Sequence, residues 1–206
     1  MAGSVVDDME RRPSDDGGGI AQSWTSRSQN ATVEHNSWSA FLRQPTDADA
    51  SDMQALVADT GILDVNSTYA YLLMATDFAD TCIVARRDGE VCGMVIGYHP
   101  PSRPEVLFVW QVAVSERARG TGLAVTMLDE LVRRVRNGRQ GHPITVETTV
   151  APTNGPSRAL FGAFARRHGV PLVEKPRFAA SHFGAHGAHE DEPTLRIGPI
   201  LAAVPG

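Results

Sequence analysis

Residues 111–132 read QVAVSERARGTGLAVTMLDELV. An apolar strand runs into Arg117-Ala118-Arg119-Gly120-Thr121-Gly122 and then, with no spacer, into an amphipathic helix. This junction constrains the fold more than any other stretch. A helix that starts at a glycine turn after a buried strand leaves its first backbone N–H groups unpaired at the positive end of its dipole, which makes an anion site. Glycine lets the backbone approach a phosphate, and Arg119 adds a charge that does not titrate. A nucleotide P-loop needs Lys-Ser/Thr after its last glycine, but Leu123-Ala124 stands there. A dinucleotide fingerprint needs a third glycine at position 125, which is Val.

The rest of the pattern predicts a mixed, mostly antiparallel sheet flanked by helices, an α/β (α+β) domain over residues 40–206. Phe41–Gln44 reads as a short strand ended by Pro45, and Thr46…Asp49 as a capping box. Met53, Leu56 and Val57 share one helical face, stopped by Gly61. A second helix is predicted over Ser67–Ala75, with Tyr69, Leu72, Leu73 and Thr76 on its faces. Thr81–Arg86 and Glu90–Tyr98 form a hairpin about Asp88-Gly89. Its simplest register sets Arg87 opposite Glu90, Cys82 opposite Val95 and Cys92 opposite Ala85. The two cysteines are then not partners, as expected in a reducing cytoplasm.

Glu105–Val114 is apolar enough for a central strand. A helix from about Leu123 to Arg136, a strand over Pro143–Val150 and a helix over Gly155–His168 follow. Short strands near Leu172–Lys175 and Thr194–Ile197 flank a Gly/His-rich loop at 179–192. Residues 1–39 are rich in Gly, Ser, Asp and Asn. They read as a disordered extension, with Trp24 and Trp38 as isolated aromatics.

The net charge of −5 gives no reason to expect nucleic acid or an anionic membrane as partner. No apolar run suits a membrane span or a secretory signal. His182, His186 and His189 have helical spacing for a metal, but Gly184 and Gly187 oppose that helix, so no metal is expected.

Arg117, Gly120 and Gly122 fit the Gln/Arg-x-x-Gly-x-Gly/Ala loop of the Gcn5-related N-acetyltransferase superfamily, and the element order from 41 to 200 resembles it. Within that superfamily, GILDVNSTYAYLLM (61–74), TCIVAR (81–86), LFVWQVAV (107–114), VETTVAPTNGPSRALF (146–161) and HEDEPTLRIGP (189–199) look like the diaminobutyrate acetyltransferase family, which performs the acetylation step of ectoine synthesis.

The resemblance implies the acyl-CoA N-acetyltransferase fold, acetyl-CoA as cosubstrate, a small diamino acid as acceptor, transfer to its 4-amino group within a ternary complex, and a homodimer. The implied cofactor-binding residues are Val112, Ala113, Val114, Arg119, Gly120, Thr121, Gly122, Leu123 and Ala124, joined by Asn154, Ser157 and Phe161. The substrate pocket is assigned to Asp64, Asn66, Tyr69, Trp110, His189 and Glu192, with Glu190 and Asp191 as weaker candidates. Trp110, Tyr69, Glu147 and His189 are the candidate catalytic residues: a wall beside the acceptor, a replacement acid, and two alternative bases. A backbone N–H near Val112 is expected at the oxyanion. The superfamily's usual acid, a Tyr in the fourth helix, has no counterpart in Ser157–His168. Two alternatives stand beside this reading: the same fold acting on a peptide, polyamine or aminoglycoside, and a non-catalytic acyl-CoA-binding module.

Overall fold

A computed structural model describes Trp38 and residues 41–61, 63–184 and 189–201. Most of the expected extension, together with Trp24, His186 and Gly187, lies outside the described residues. Trp38 is not an isolated tail aromatic. It is buried, packs edge-on against Phe41 and carries the Arg87 guanidinium over its ring, so it belongs to the packed body.

The strands are β1 (Leu42–Arg43), β2 (Ile83–Arg87), β3 (Glu90–Tyr98), β4 (Val106–Val114), β5 (Ile144–Thr149), β6 (Leu172–Phe178) and β7 (Glu192–Ile200). They form one sheet in the order β1-β2-β3-β4-β5-β7-β6. Only β4–β5 is a parallel pair. The helices are α1 (Ala50–Thr60), α2 (Thr68–Thr76), α3 (Leu123–Gly138) and α4 (Gly155–Arg167). This is the expected element order, with β6 and β7 longer than anticipated.

Side-chain alternation along the strands splits the core in two. Leu107 and Val109 of β4, Val146 of β5 and Ile197 of β7 face α3 and α4, meeting Leu128, Leu131 and Phe164. The opposite face packs Met94, Ile96 and Ala113 against Met53, Val57, Tyr71 and Met74 of α1 and α2. No residue of β5 or β7 joins that second cluster. On this half of the face Glu147 and Arg196 stand where apolar residues would otherwise be.

Several local expectations shift. α2 buries Tyr71, Met74 and Ala75, while Tyr69 and Thr76 are exposed. The helix is rotated because this set, with Leu72 beside it, meets α1 and the sheet. In the hairpin, Asp88 (φ 53°) and Gly89 (φ 83°) make the turn and Arg87 faces Glu90 as expected. A bulge after Ala85 then puts Ile83, not Cys82, opposite Val95, and Gly93, not Cys92, opposite Ala85. Both cysteines are free and buried. The capping box forms: the Asp49 carboxylate accepts from the Thr46 N–H at 2.8 Å, and also binds Arg43 and Arg86.

Candidate active site

Strands β4 and β5 pair only at Val106↔Thr145, Leu107↔Val146 and Phe108↔Glu147. Beyond these they part. A cleft of about 1090 Å³ fills the gap, with Val109–Val112 on one wall and Thr148–Ala151 on the other. The β3–β4 register passes from Gly97↔Val109 to Ile96↔Gln111, which makes Trp110 the extra residue of a β-bulge. The bulge turns the indole out of the core, and Trp110 is 41% exposed in the cleft wall although its neighbours are buried. Gly97 permits this geometry, since a Cβ there would lie 2.6 Å from the Phe108 carbonyl oxygen.

One end of the cleft is framed by the loop before α2. Tyr71 Oη donates to Gln111 Oε1 at 3.2 Å, and Gln111 Nε2 donates to the Asp64 carbonyl at 2.8 Å. Gln54 Nε2 donates to the Asn66 carbonyl at 2.8 Å. These bonds bring Asp64 and Asn66 to the cleft. From the other side come Phe183, His189, Glu190 and Glu192. The His189 ring stacks on Phe183 with centroids 4.7 Å apart. Glu192 accepts from Thr149 Oγ1 at 2.8 Å, and Glu190 accepts from Thr153. Asp191 instead accepts from the Ala180 N–H at 2.9 Å and is not in the lining.

The far side is set by two helix starts. Asn154 Oδ1 caps α4 by accepting from the Ser157 N–H at 3.1 Å, and Asn154, Ser157 and Phe161 all line the cleft. Gly122 precedes α3 with φ 81° and gives it no side-chain cap. Gly120 has φ 77° and open space where a Cβ would be. The first N–H groups of α3 are therefore unshielded and suit a diphosphate. Val112 is in the lining, but the side chains of Ala113 and Leu123 are buried, so these two offer only backbone groups. Val114, Thr121 and Ala124 are half-buried along the same approach, and Arg119 is exposed beside it. Arg117, by contrast, is engaged by Glu90.

Two expected catalytic residues need correction. Tyr69 is 68% exposed and does not line the cleft. It precedes Tyr71 by two positions, about 200° round the helix, so burying Tyr71 turns Tyr69 outward. Glu147 is not a free base. Burial raises its pKa, but hydrogen bonds from Arg103 and Arg196 outweigh that and hold it below the usual carboxylate range. It lines a smaller adjoining cavity.

Tyr98, His99, Phe108 and Arg177 also line the cleft and were not singled out from sequence. Strand alternation after Gly97 was the available signal for Tyr98 and Phe108. Nothing local marks His99 or Arg177. Burial lowers the His99 pKa despite the contact of Nδ1 with the Val106 carbonyl at 2.7 Å. That acceptor requires the proton on Nδ1 and leaves Nε2 with its lone pair. Among the described residues no group of three or more His, Cys, Asp and Glu is placed to hold a metal ion.

The model of the Acetyltransferase (GNAT) family matches residues 50–165. The L-2,4-diaminobutyric acid acetyltransferase of Nocardia farcinica (strain IFM 10152) is 44% identical over 166 residues, 80% of this chain and 83% of that protein. The protein of the same description from Halomonas elongata is 41% identical over 172 residues, 83% of this chain and 87% of the relative. Among solved structures, diaminobutyrate acetyltransferase EctA from Paenibacillus lautus, in complex with its substrate L-2,4-diaminobutyric acid and coenzyme A, superposes with a TM-score of 0.72. It is 37% identical and covers 80% of this chain and 97% of that one. A Salmonella typhimurium acetyltransferase with acetyl-CoA shares the fold at 16% identity and a TM-score of 0.59. A split parallel pair, a bulged tryptophan and an uncapped glycine-led helix thus occur in a chain that belongs to the GNAT acetyltransferase family and, within it, to the L-2,4-diaminobutyric acid acetyltransferases.

Proposed function

We propose that this chain transfers the acetyl group of acetyl-CoA to the 4-amino group of L-2,4-diaminobutyrate, the acetylation step of ectoine synthesis. The observation that carries this reading is a cleft with an acidic rim, placed between split strands, in a chain 37–44% identical to diaminobutyrate acetyltransferases along most of its length.

Acetyl-CoA is the cosubstrate and supplies the activated acyl group. The diphosphate fits the start of α3, where Gly120 and Gly122 leave the amides open and Arg119 stands nearby. The rest of the cosubstrate runs past Val112–Val114 towards Asn154, Ser157 and Phe161. Asp64, Glu190 and Glu192 suit the two ammonium groups of the acceptor, and Trp110 gives it an apolar wall. The attacking nitrogen must first lose a proton. With Glu147 held by arginines, His189 is the remaining base of the two expected from sequence, acting directly or through water. A Val112 backbone N–H on the parted strand holds the developing oxyanion.

The catalytic domain is proposed to span residues 40–206, with Trp38 packed against it. The two free buried cysteines suit a reducing cytoplasm. A homodimer is supported by β6, an edge strand that exposes Val173.

The test is thiol release from acetyl-CoA with L-2,4-diaminobutyrate and mass spectrometry of the product, beside ornithine, lysine, spermidine and a peptide. Rapid formation of the 4-N-acetyl product, with ornithine much slower, is expected. Turnover of the peptide or polyamine alone would replace the acceptor. Acetyl-CoA binding with no thiol release for any amine would leave a binding module.

A further inference from the structure

A 2,4-diamino acid brings an anion as well as two cations, and the cleft lining is uneven in charge. Its carboxylates are Asp64, Glu190 and Glu192, and its one guanidinium is Arg177. Arg177 lies on β6 and lines both the cleft and the adjoining cavity of about 320 Å³.

The surroundings of Arg177 fix it without using its donors. Its guanidinium carbon sits 4.7 Å from the Phe108 ring centroid and 4.9 Å from that of Phe178. Such contacts hold the plane and leave the edge N–H groups available. The nearest carboxylate oxygen is Glu147 Oε2 at 3.9 Å, beyond hydrogen-bond distance. That oxygen already accepts from Arg103 at 2.6 Å, and Oε1 accepts from Arg196. With Lys175, the small cavity is lined by four cations and one carboxylate. Glu147 is occupied, the positive charge is in excess, and among the described residues no hydrogen bond engages the Arg177 guanidinium. A planar carboxylate is the anion that matches a free guanidinium edge.

We infer that Arg177 is the carboxylate anchor of the acceptor site. It takes the α-carboxylate of the diamino acid, while Glu147 holds Arg103 and Arg196 beside it and keeps that end of the cleft positive. The inference rests on the acceptor reading proposed above. It also accounts for the site of transfer. Anchoring the carboxylate keeps the neighbouring 2-amino group at the arginine end, and only the 4-amino group extends on towards Trp110.

The experiment compares wild type, Arg177→Gln and Arg177→Lys on two acceptors: L-2,4-diaminobutyrate and its decarboxylated analogue 1,3-diaminopropane, the latter also measured as an inhibitor. Arg177→Gln is expected to lower the ratio of kcat/KM for diaminobutyrate over diaminopropane by roughly ten- to a hundredfold, mainly through KM, with Arg177→Lys between it and wild type. The share of 2-N-acetyl product should rise in Arg177→Gln. Acetyl-CoA binding by each variant, followed calorimetrically, reports on the integrity of the cleft. An unchanged acceptor ratio overturns the inference, as does a parallel loss on both acceptors. If wild type fails to acetylate diaminobutyrate at all, the acceptor reading falls and takes this inference with it. A wild type that acetylates it beside a variant of unaltered selectivity sinks the anchor alone.

Discussion

Asp49, the residue that precedes α1, is a carboxylate 1% exposed. Burial pushes its pKa up, but hydrogen bonds from Arg43 and Thr46 prevail and bring it down to about 2. The folded value is below the ordinary carboxylate value of 3.8, so the ionised form stabilises the fold. That stabilisation is complete above about pH 4 and disappears as pH falls through about 2. It amounts to about 2 kcal/mol. Urea titrations at pH 5 and pH 2 should show wild type losing about 2 kcal/mol more than Asp49→Asn over that interval. Gly97 poses a steric question instead. A Cβ 2.6 Å from the Phe108 carbonyl oxygen meets backbone, which a rotamer change cannot relieve. Gly97→Ala is expected to cost about 1–3 kcal/mol in urea unfolding and to disturb the Trp110 bulge. An unchanged midpoint would mean that the bulge relaxes freely.

At the scale of elements, the Asp64 end of the cleft depends on a chain of hydrogen bonds joining three segments. Tyr71 of α2 reaches Gln111 of β4, and Gln111 reaches the carbonyl of Asp64. Gln111→Leu keeps a similar size, yet it leaves a buried hydroxyl and a loop carbonyl without their partner. The loop carrying Asp64 and Asn66 should loosen, while α3 and its glycines are untouched. The expected result is a KM for diaminobutyrate raised about tenfold with the KM for acetyl-CoA within about twofold of wild type. A matching rise in both constants would place the effect in the sheet instead of the loop.

For the whole molecule, the parting of β4 from β5 leaves only a short ladder between the two halves of the sheet. Three residue pairs join these strands, against six between β3 and β4. The C-terminal half of the sheet is held to the N-terminal half by that short ladder and by α3 packing on α4. A ligand seated in the gap bridges the halves and binds only the folded state. At a hundred times its dissociation constant, acetyl-CoA should stabilise the fold by about 2.7 kcal/mol and raise Tm by on the order of 5–10 °C. Differential scanning fluorimetry reads this directly. A shift produced equally well by free adenosine would show that the gap is not bridged.

The parts legible in the sequence were those set by local chemistry. Hydrophobic period, the Asp88-Gly89 turn, the Thr46–Asp49 box and the glycines before α3 act within a few residues, so the element order and the glycine turn ahead of α3 could be read without the fold. Asp64, Asn66, His189 and Glu192 were assigned through family resemblance, and the fold gathers them on one cleft from segments more than a hundred residues apart. Tertiary structure decided the rest. The phase of α2, which buries Tyr71 and turns Tyr69 out, follows from which face meets α1. Glu147 sits in an apolar-looking strand and gives no local sign of the arginines from β7 and the loop before β4 that occupy it. The bulge that presents Trp110 and the strand pairing that sets Arg177 over Phe108 exist only once the sheet has assembled. Register is a property of two chains of hydrogen bonds and cannot be written in either strand alone.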